Sequence, residues 1–235
     1  MKLTENQIDE LYKFTREHYM YFYDVQTELV DHLANDIEQI WIEKPRLSFE
    51  DARNASFKKF GIFGFMDVIE AKQKQMNKRY RKILWRFFKE WFTFPKLIIT
   101  TSIFLSLFYI LQLPYSEYVI LFSIFILMIF DLIKQSKSKK KHKKPAQKKE
   151  KIFLLESMIG ETRQGFSAIA FINIFNSVNF LKVSFSSLEN HWLLLISFSV
   201  TLIIILFYVT AYLIPQKAEE LLQETYPEYK LVNNL

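Results

Sequence analysis

The chain has 235 residues, half of them hydrophobic, and a formal net charge of +6. It contains no cysteine, which excludes disulfide bonds, thiolate nucleophiles and cysteine-bound metals, and its four histidines form no HExxH-type pair. Only 4 glycines and 6 prolines accompany long apolar runs, which favours helices, so we predict an all-α fold. Because no catalytic motif occurs, we expect neither enzymatic activity nor a cofactor.

Residues 1–75 are predicted to form a cytoplasmic domain of three to four helices. Apolar side chains recur at three- and four-residue spacing along the second helix, which runs to about Glu43, and this spacing is typical of one buried face. The helix boundaries are predicted from N-cap side chains, capping boxes and glycines. In chain order these residues are Thr4 with Gln7, Asp24, Ser48 with Asp51, Gly61 and Gly64.

Three stretches of this region carry a resemblance to a known family. The runs ELVDHLANDIEQIW, SFEDARNASFKKFG and FMDVIEAK resemble bacterial permease-prefix or anti-sigma-like (HAAS-type) helical domains. The resemblance covers about a third of the chain and departs from the family pattern at Gly64 and Phe65. It implies a cytoplasmic regulatory or interaction module, often linked to PadR-type repressors, and no enzyme. The matching residues are Glu28, Leu29, His32, Leu33, Ser48, Glu50, Ala52, Phe60 and Gly61.

Glu28, Asp31 and His32 are neighbours on the predicted second helix and are our candidates for binding an unknown cytoplasmic protein partner. Glu28 and His32 are four residues apart and share a helix face, so they could contribute to a metal site. Two ligands alone do not make such a site. We therefore favour a surface ion pair, which is common at this spacing.

Residues 79–94, RYRKILWRFFKEWFTF, are predicted to form a basic amphipathic helix within an elbow at 76–96. A cationic polar face opposite an aromatic apolar face is what a helix at the membrane interface requires. The alternative is that the apolar face packs on the N-terminal domain. The candidate interface residues are Tyr80, Leu84, Phe87, Phe88 and Trp91.

Four apolar segments approach the length needed to cross a bilayer, which is roughly 20 residues. A buried helix of a soluble protein is the alternative for any one of them, but four are too many for the core of a chain this short. They form two predicted hairpins, at 97–133 and 152–214, followed by a cytoplasmic tail at 215–235. The segments are 97–113, 118–133, about 165–183 and 192–214.

The distribution of basic residues predicts the orientation. The linker between the hairpins has ten lysines from Lys134 to Lys151, whereas the connections at 114–117 and 184–191 have no lysine or arginine. We therefore expect a multi-pass protein of the bacterial plasma (inner) membrane with both termini in the cytoplasm. The N-terminal residues have no apolar h-region, so no secretory signal peptide is predicted. We expect the lysine run to attract anionic lipids rather than nucleic acid.

Asn173, Asn176 and Asn179 recur along the third segment and predict a polar face inside the membrane. Such a face could line a pathway or form hydrogen bonds between helices, and we favour the second interpretation. Asp131 and Lys182 lie near segment ends, so no charge is expected deep in a span, which argues against an ion-driven transporter.

We therefore predict a membrane protein of regulatory or interaction type, whose cytoplasmic helical domain binds a protein partner. The alternative is a small permease or transport component, which would have to assemble as a homo-oligomer because four spans are few for a carrier. A lipid-directed enzyme is the least favoured, since its only candidate cluster, Glu156, Glu161 and Arg163, equally fits a polar flank.

Overall fold

The structure is a computed structural model that describes residues 2–61, 64–123, 125, 126, 129, 131, 133, 151–177 and 184–230, without the side chains of 166, 167 and 170–177. Regular structure in these ranges is helical, apart from one isolated parallel bridge between Phe22 and Ile152. The predicted all-α fold is confirmed. The helices are α1 (Glu5–Glu17), α2 (Tyr23–Glu43), α3 (Phe49–Lys58), α4 (Met66–Lys89), α5 (Lys96–Gln112), α6 (Leu154–Ser177), α7 (Asn190–Gln216) and α8 (Ala218–Thr225).

The chain divides into two compact units. The first comprises Met1–Tyr80 together with Lys149–Ser157, and the second comprises Arg81–Lys148 and Met158–Leu235. The predicted boundary between the lysine-rich linker and the second hairpin, at residue 152, therefore falls inside the first unit.

Local sequence explains where two helices of the first unit begin. Thr4 and Gln7 form the predicted capping box, in which Gln7 Oε1 accepts from the Thr4 amide at 2.9 Å and Thr4 Oγ1 accepts from the Gln7 amide at 3.4 Å. Ser48 caps α3 by accepting from the Asp51 amide at 3.1 Å. Both predicted caps are confirmed, and each satisfies an amide that a helix start would leave without a partner.

The prediction that Asp24 caps α2 is wrong. The N-cap position belongs to Phe22, whose extended backbone starts the helix without a side-chain cap. Asp24 lies one residue inside the first turn, and its carboxylate accepts a hydrogen bond from the Leu154 amide at 3.0 Å. Asp24 therefore caps a helix start, but that of α6.

Two glycines adopt positive φ where the chain turns from α3 into α4. Gly61 has φ +80° and Gly64 has φ +55°, in the left-handed region that side chains disfavour. A Cβ at Gly64 would also lie 3.0 Å from Cζ of Phe57. This close approach lets Phe57 pack against Phe14 and Phe65 in the aromatic core.

In the second unit, α5 packs against α7. The helix α7 contains a π-helical turn at Val209–Leu213. It is long and apolar enough to cross a membrane, with a mean hydropathy of 2.6 over its most apolar window. Helices Met66–Phe92 and Lys96–Gln112 meet the same criterion only as a pair bent by 78°. Among the described residues, one helix, or two if the bent pair counts as one span, could therefore cross a membrane.

The second and third predicted spans are described only in part. Residues 116–123 are helical, as expected for the second. The third predicted span, at about 165–183, belongs to a helix that begins at Leu154, and residues 178–183 lie outside the described ranges. The helix begins there because of tertiary contacts, since Asp24 of α2 accepts a hydrogen bond from the Leu154 amide and Phe153, Leu154 and Leu155 are buried.

Candidate functional site

The predicted partner-binding residues lie together on the outer face of α2. Glu28, Asp31 and His32 are exposed, whereas Leu29 and Leu33 on the opposite face are buried. The Glu28 carboxylate pairs with Lys72 of α4 rather than with His32. The ring centroids of His32 and Phe60 are 6.2 Å apart. The three side chains thus form one accessible polar surface.

No metal site can be built around these side chains from the described residues. Nowhere in the described ranges do three histidine, aspartate or glutamate side chains approach closely enough to hold a metal ion.

Residues 151–155 form a short segment, here called the clasp, that is built into the helical domain. The Tyr23 amide donates to the carbonyl of Ile152 at 2.8 Å, and the Leu154 amide donates to Asp24 Oδ1 at 3.0 Å. The side chains of Phe153 and Leu155 are fully buried. The end of the lysine run is therefore part of the core of the first unit, although it lies far away in sequence.

A polar cleft of about 510 Å³ opens beside the clasp. Lys151 Nζ lies 4.8 Å from the centroid of the Tyr23 ring, and the buried Gln26 amide donates to the Tyr12 carbonyl at 2.8 Å. Burial raises the pKa of Tyr12, with its hydrogen bond to Thr27 acting in the opposite direction. Three cations and one carboxylate give the cleft an excess of positive charge. Its lining residues are Asp9, Tyr12, Lys13, Arg16, Tyr23, Gln26 and Lys151.

The helix predicted at 79–94 ends before residue 94. The α-helical part stops at Lys89, a 3₁₀ turn covers Glu90–Phe92, and Thr93 is extended. Among the predicted interface residues, Tyr80 and Phe87 are buried, while Leu84, Phe88 and Trp91 are half-buried.

The buried edge of this helix is covered by the C-terminal helix α8. Arg86 donates to both carboxylate oxygens of Glu224, at 3.0 and 3.1 Å. Lys217 Nζ lies 5.6 Å from the centroid of the Phe87 ring. A bidentate pair of this kind fixes orientation as well as charge, so the edge containing Phe87 packs against protein.

The other edge of the same helix forms an open apolar groove with α7, here called the elbow groove. Its volume is about 340 Å³. Trp85 stacks on Phe88 with ring centroids 5.5 Å apart, and the side chain of Trp85 is 55% exposed. Trp85 was not among the predicted interface residues. The groove is lined by Arg81, Leu84, Trp85, Phe88, Leu202, Ile203 and Leu206.

A buried carboxylate lies against the π-helical turn of α7. Asp131 is only 4% exposed and accepts a hydrogen bond from the Tyr212 hydroxyl at 3.0 Å. The Tyr212 ring stacks on Tyr208, whose ring contacts that of Trp91. These aromatic contacts connect Trp91 of the elbow to the buried carboxyl group of Asp131 in the second apolar segment.

Asp131 was predicted to lie near the end of the second apolar segment, and its burial was not predicted. The available signal was an ionisable residue inside an apolar segment, which is a candidate functional residue wherever it is buried. Tyr212 gave no signal of its own, because tyrosine is common at helix ends near a membrane surface.

Two other groups of predicted residues lie wholly or partly outside the described part of the chain. Asn173 and Asn176 belong to α6, but their side chains are outside the described part of the chain, and Asn179 is outside it entirely. Of the lysine run, only Lys151 is described. The predicted asparagine face therefore stays a prediction.

Comparisons with protein-family models, with curated proteins and with solved structures give no match to this chain. Its function is therefore inferred from its own residues and their geometry.

Proposed function

We propose that this chain is a multi-pass protein of the bacterial plasma membrane whose N-terminal helical domain binds a soluble protein partner in a regulatory or interaction role. Four transmembrane helices form two hairpins, and both termini lie in the cytoplasm. The basic linker from Lys134 to Lys151 lies against anionic lipid.

The observation that carries the membrane proposal is the number of large apolar side chains that are exposed in the second unit. Only a third of the most apolar window of α7 is buried. Exposed apolar surface of this extent is costly in water and is expected against lipid. The exposed side chains include Ile98, Ile99 and Leu105 on α5, Phe122, Phe125 and Ile126 in the second segment, and Leu195, Phe198 and Ile203 on α7.

The bend between α4 and α5 supports an interfacial elbow. If α5 crosses the bilayer, a 78° change in direction brings the preceding helix close to the membrane plane. That helix has no aspartate or glutamate from residue 71 to residue 89, so its polar side suits an anionic surface.

The accessible surface of α2 supports the interaction role. Glu28, Asp31 and His32 project from a helix whose opposite face is fully engaged in the core, so this surface can meet a partner without unfolding. The resemblance of this region to anti-sigma-like (HAAS-type) domains favours the same interpretation.

An affinity pull-down from native membranes in mild detergent tests the partner. The variant Glu28→Ala/Asp31→Ala/His32→Ala removes the surface without touching the core, and we expect it to lower recovery of a soluble partner about tenfold, as loss of about 1.4 kcal/mol does. Surface substitutions on α1, Glu10→Ala with Glu17→Ala, are the matched control and should leave recovery unchanged. Equal recovery with all three proteins would rule out this surface.

A small oligomeric permease is the second candidate, and the buried Asp131 favours it. A carboxylate held inside an apolar segment is a frequent part of solute or proton routes. A pull-down that recovers only other membrane proteins, regardless of the α2 substitutions, would favour this alternative.

A further inference from the structure

The elbow groove is an apolar surface that the described part of the chain leaves open. Its walls come from two helices, and its exposed apolar members are Trp85 on α4 and Ile203 on α7, which is 64% exposed. A groove of about 340 Å³ is within the range of small-molecule sites, which is roughly 300–1,000 Å³. Water would hydrate it poorly, because six of its seven lining side chains are apolar or aromatic.

We propose that the elbow groove binds an acyl chain of an anionic phospholipid whose phosphate is contacted by Arg81. This inference rests on the proposed membrane location. It goes further in assigning a specific lipid site, which includes Arg81 and Trp85 beside the predicted interface residues Leu84 and Phe88.

The positive charge of Arg81 at the groove favours a lipid with an anionic headgroup. Arg81 lines the groove, is exposed, and forms no ion pair within the described ranges. Two nearby cations are engaged, since Arg86 binds Glu224 and Lys89 Nζ lies 5.2 Å from the centroid of the Trp85 ring, and Lys82 does not line the groove. A guanidinium matches a phosphate by forming two hydrogen bonds, so Arg81 is the available ligand for one.

The surroundings favour lipid over a second protein. Leu202, Ile203 and Leu206 belong to α7, the helix that is long and apolar enough to cross a bilayer. Trp85 belongs to a basic helix, and tryptophan is enriched where an apolar and an aqueous layer meet. One cationic side chain beside an apolar groove matches the chemistry of a phospholipid, whose phosphate would contact the cation and whose hydrocarbon chain would fill the groove.

Tryptophan quenching by brominated lipids tests the site in the full-length chain. One variant keeps only Trp85 (Trp41→Phe, Trp91→Phe, Trp192→Phe) and a second keeps only Trp192 at the start of α7. Both are reconstituted in phosphatidylcholine vesicles that contain a small, equal fraction of acyl-brominated phosphatidylglycerol or acyl-brominated phosphatidylcholine. We expect Trp85 to prefer the anionic lipid about fivefold, whereas Trp192 is quenched equally by both.

Matched substitutions assign the preference to the groove. Arg81→Gln should abolish the preference at Trp85. Lys82→Gln removes the same charge from the next residue, whose side chain does not line the groove, and should retain most of the preference. Because the tryptophan replacements could perturb folding, the chain with all four tryptophans is also purified in mild detergent and analysed by native mass spectrometry. Phosphatidylglycerol should remain bound to this protein and to Lys82→Gln, but not to Arg81→Gln.

The possible failures separate the two proposals. Absence of quenching at Trp192 by either lipid would contradict the membrane location itself. Quenching at Trp192 combined with equal quenching of Trp85 by the two lipids would overturn the anionic site alone. Quenching at Trp192 with a fully protected Trp85 would mean that protein, such as a second copy of the chain, covers the groove.

Discussion

Replacing Phe153 with alanine is expected to destabilise the N-terminal helical domain by about 3–5 kcal/mol, the usual cost of removing a buried phenylalanine ring. Phe153 is fully buried, and its ring centroid lies 5.5 Å from the ring centroid of Tyr23 at the start of α2. In the linear sequence the residue follows a lysine-rich linker, where such a substitution would ordinarily have little effect. A large effect therefore tests whether the clasp belongs to the domain.

Hydrogen exchange of the α2 amides in the full-length protein measures this effect locally. We expect Phe153→Ala to accelerate exchange along α2, because the domain opens more often when its core is weakened. Ile152→Ala is the matched control, since the Ile152 side chain is 45% exposed and contributes mainly through its backbone. If both variants exchange like the parent protein, the clasp is not part of the core.

Replacing Tyr212 with phenylalanine is expected to destabilise the second unit by about 2 kcal/mol. The substitution keeps the ring but removes one hydrogen bond to a buried carboxylate, and a hydrogen bond to such a group contributes about 1.5–3 kcal/mol. Tyr208→Phe is the matched control, because Tyr208 stacks on Tyr212 yet is 42% exposed. We expect the control to change stability by less than about 0.5 kcal/mol.

Thermal unfolding in mild detergent, combined with a double-mutant cycle, assigns this effect to the pair. In an Asp131→Leu background, Tyr212→Phe should cost much less than in the parent protein, because the acceptor has already gone. Equal costs in both backgrounds would show that the hydroxyl acts independently of Asp131.

The helix boundaries that could be predicted from sequence depend on contacts within a few residues. Thr4 and Ser48 each cap the amide three residues onward, so a local pattern contains the whole interaction. Asp24 has the same chemistry, but its partner is Leu154, which is 130 residues away. No local rule could identify that partner, so the cap of α6 could not be predicted from the sequence.

The prediction of the membrane-interface face was limited in the same way, because it used only contacts along one helix. Helical periodicity correctly grouped Leu84 with Phe88, but it could not show that Phe87 would be covered by α8 through the Arg86–Glu224 pair. Trp85 lies on the opposite edge of that apolar stripe, and its role depends on Leu202 and Ile203 of a distant helix. Tertiary contacts therefore divide the apolar side chains of this helix between an edge covered by protein and an open edge.

Cysteine labelling in intact cells tests the central claim of a four-span protein most directly, because the natural chain has no cysteine to interfere. Single cysteines replace Pro114 and Ser186 in the two predicted outer connections, and Ser138 and Glu228 in the linker and tail. A membrane-impermeant maleimide should label the first two in intact cells and the last two only after permeabilisation. Labelling of Ser138→Cys from outside, or protection of Pro114→Cys or Ser186→Cys until permeabilisation, would contradict the proposed topology.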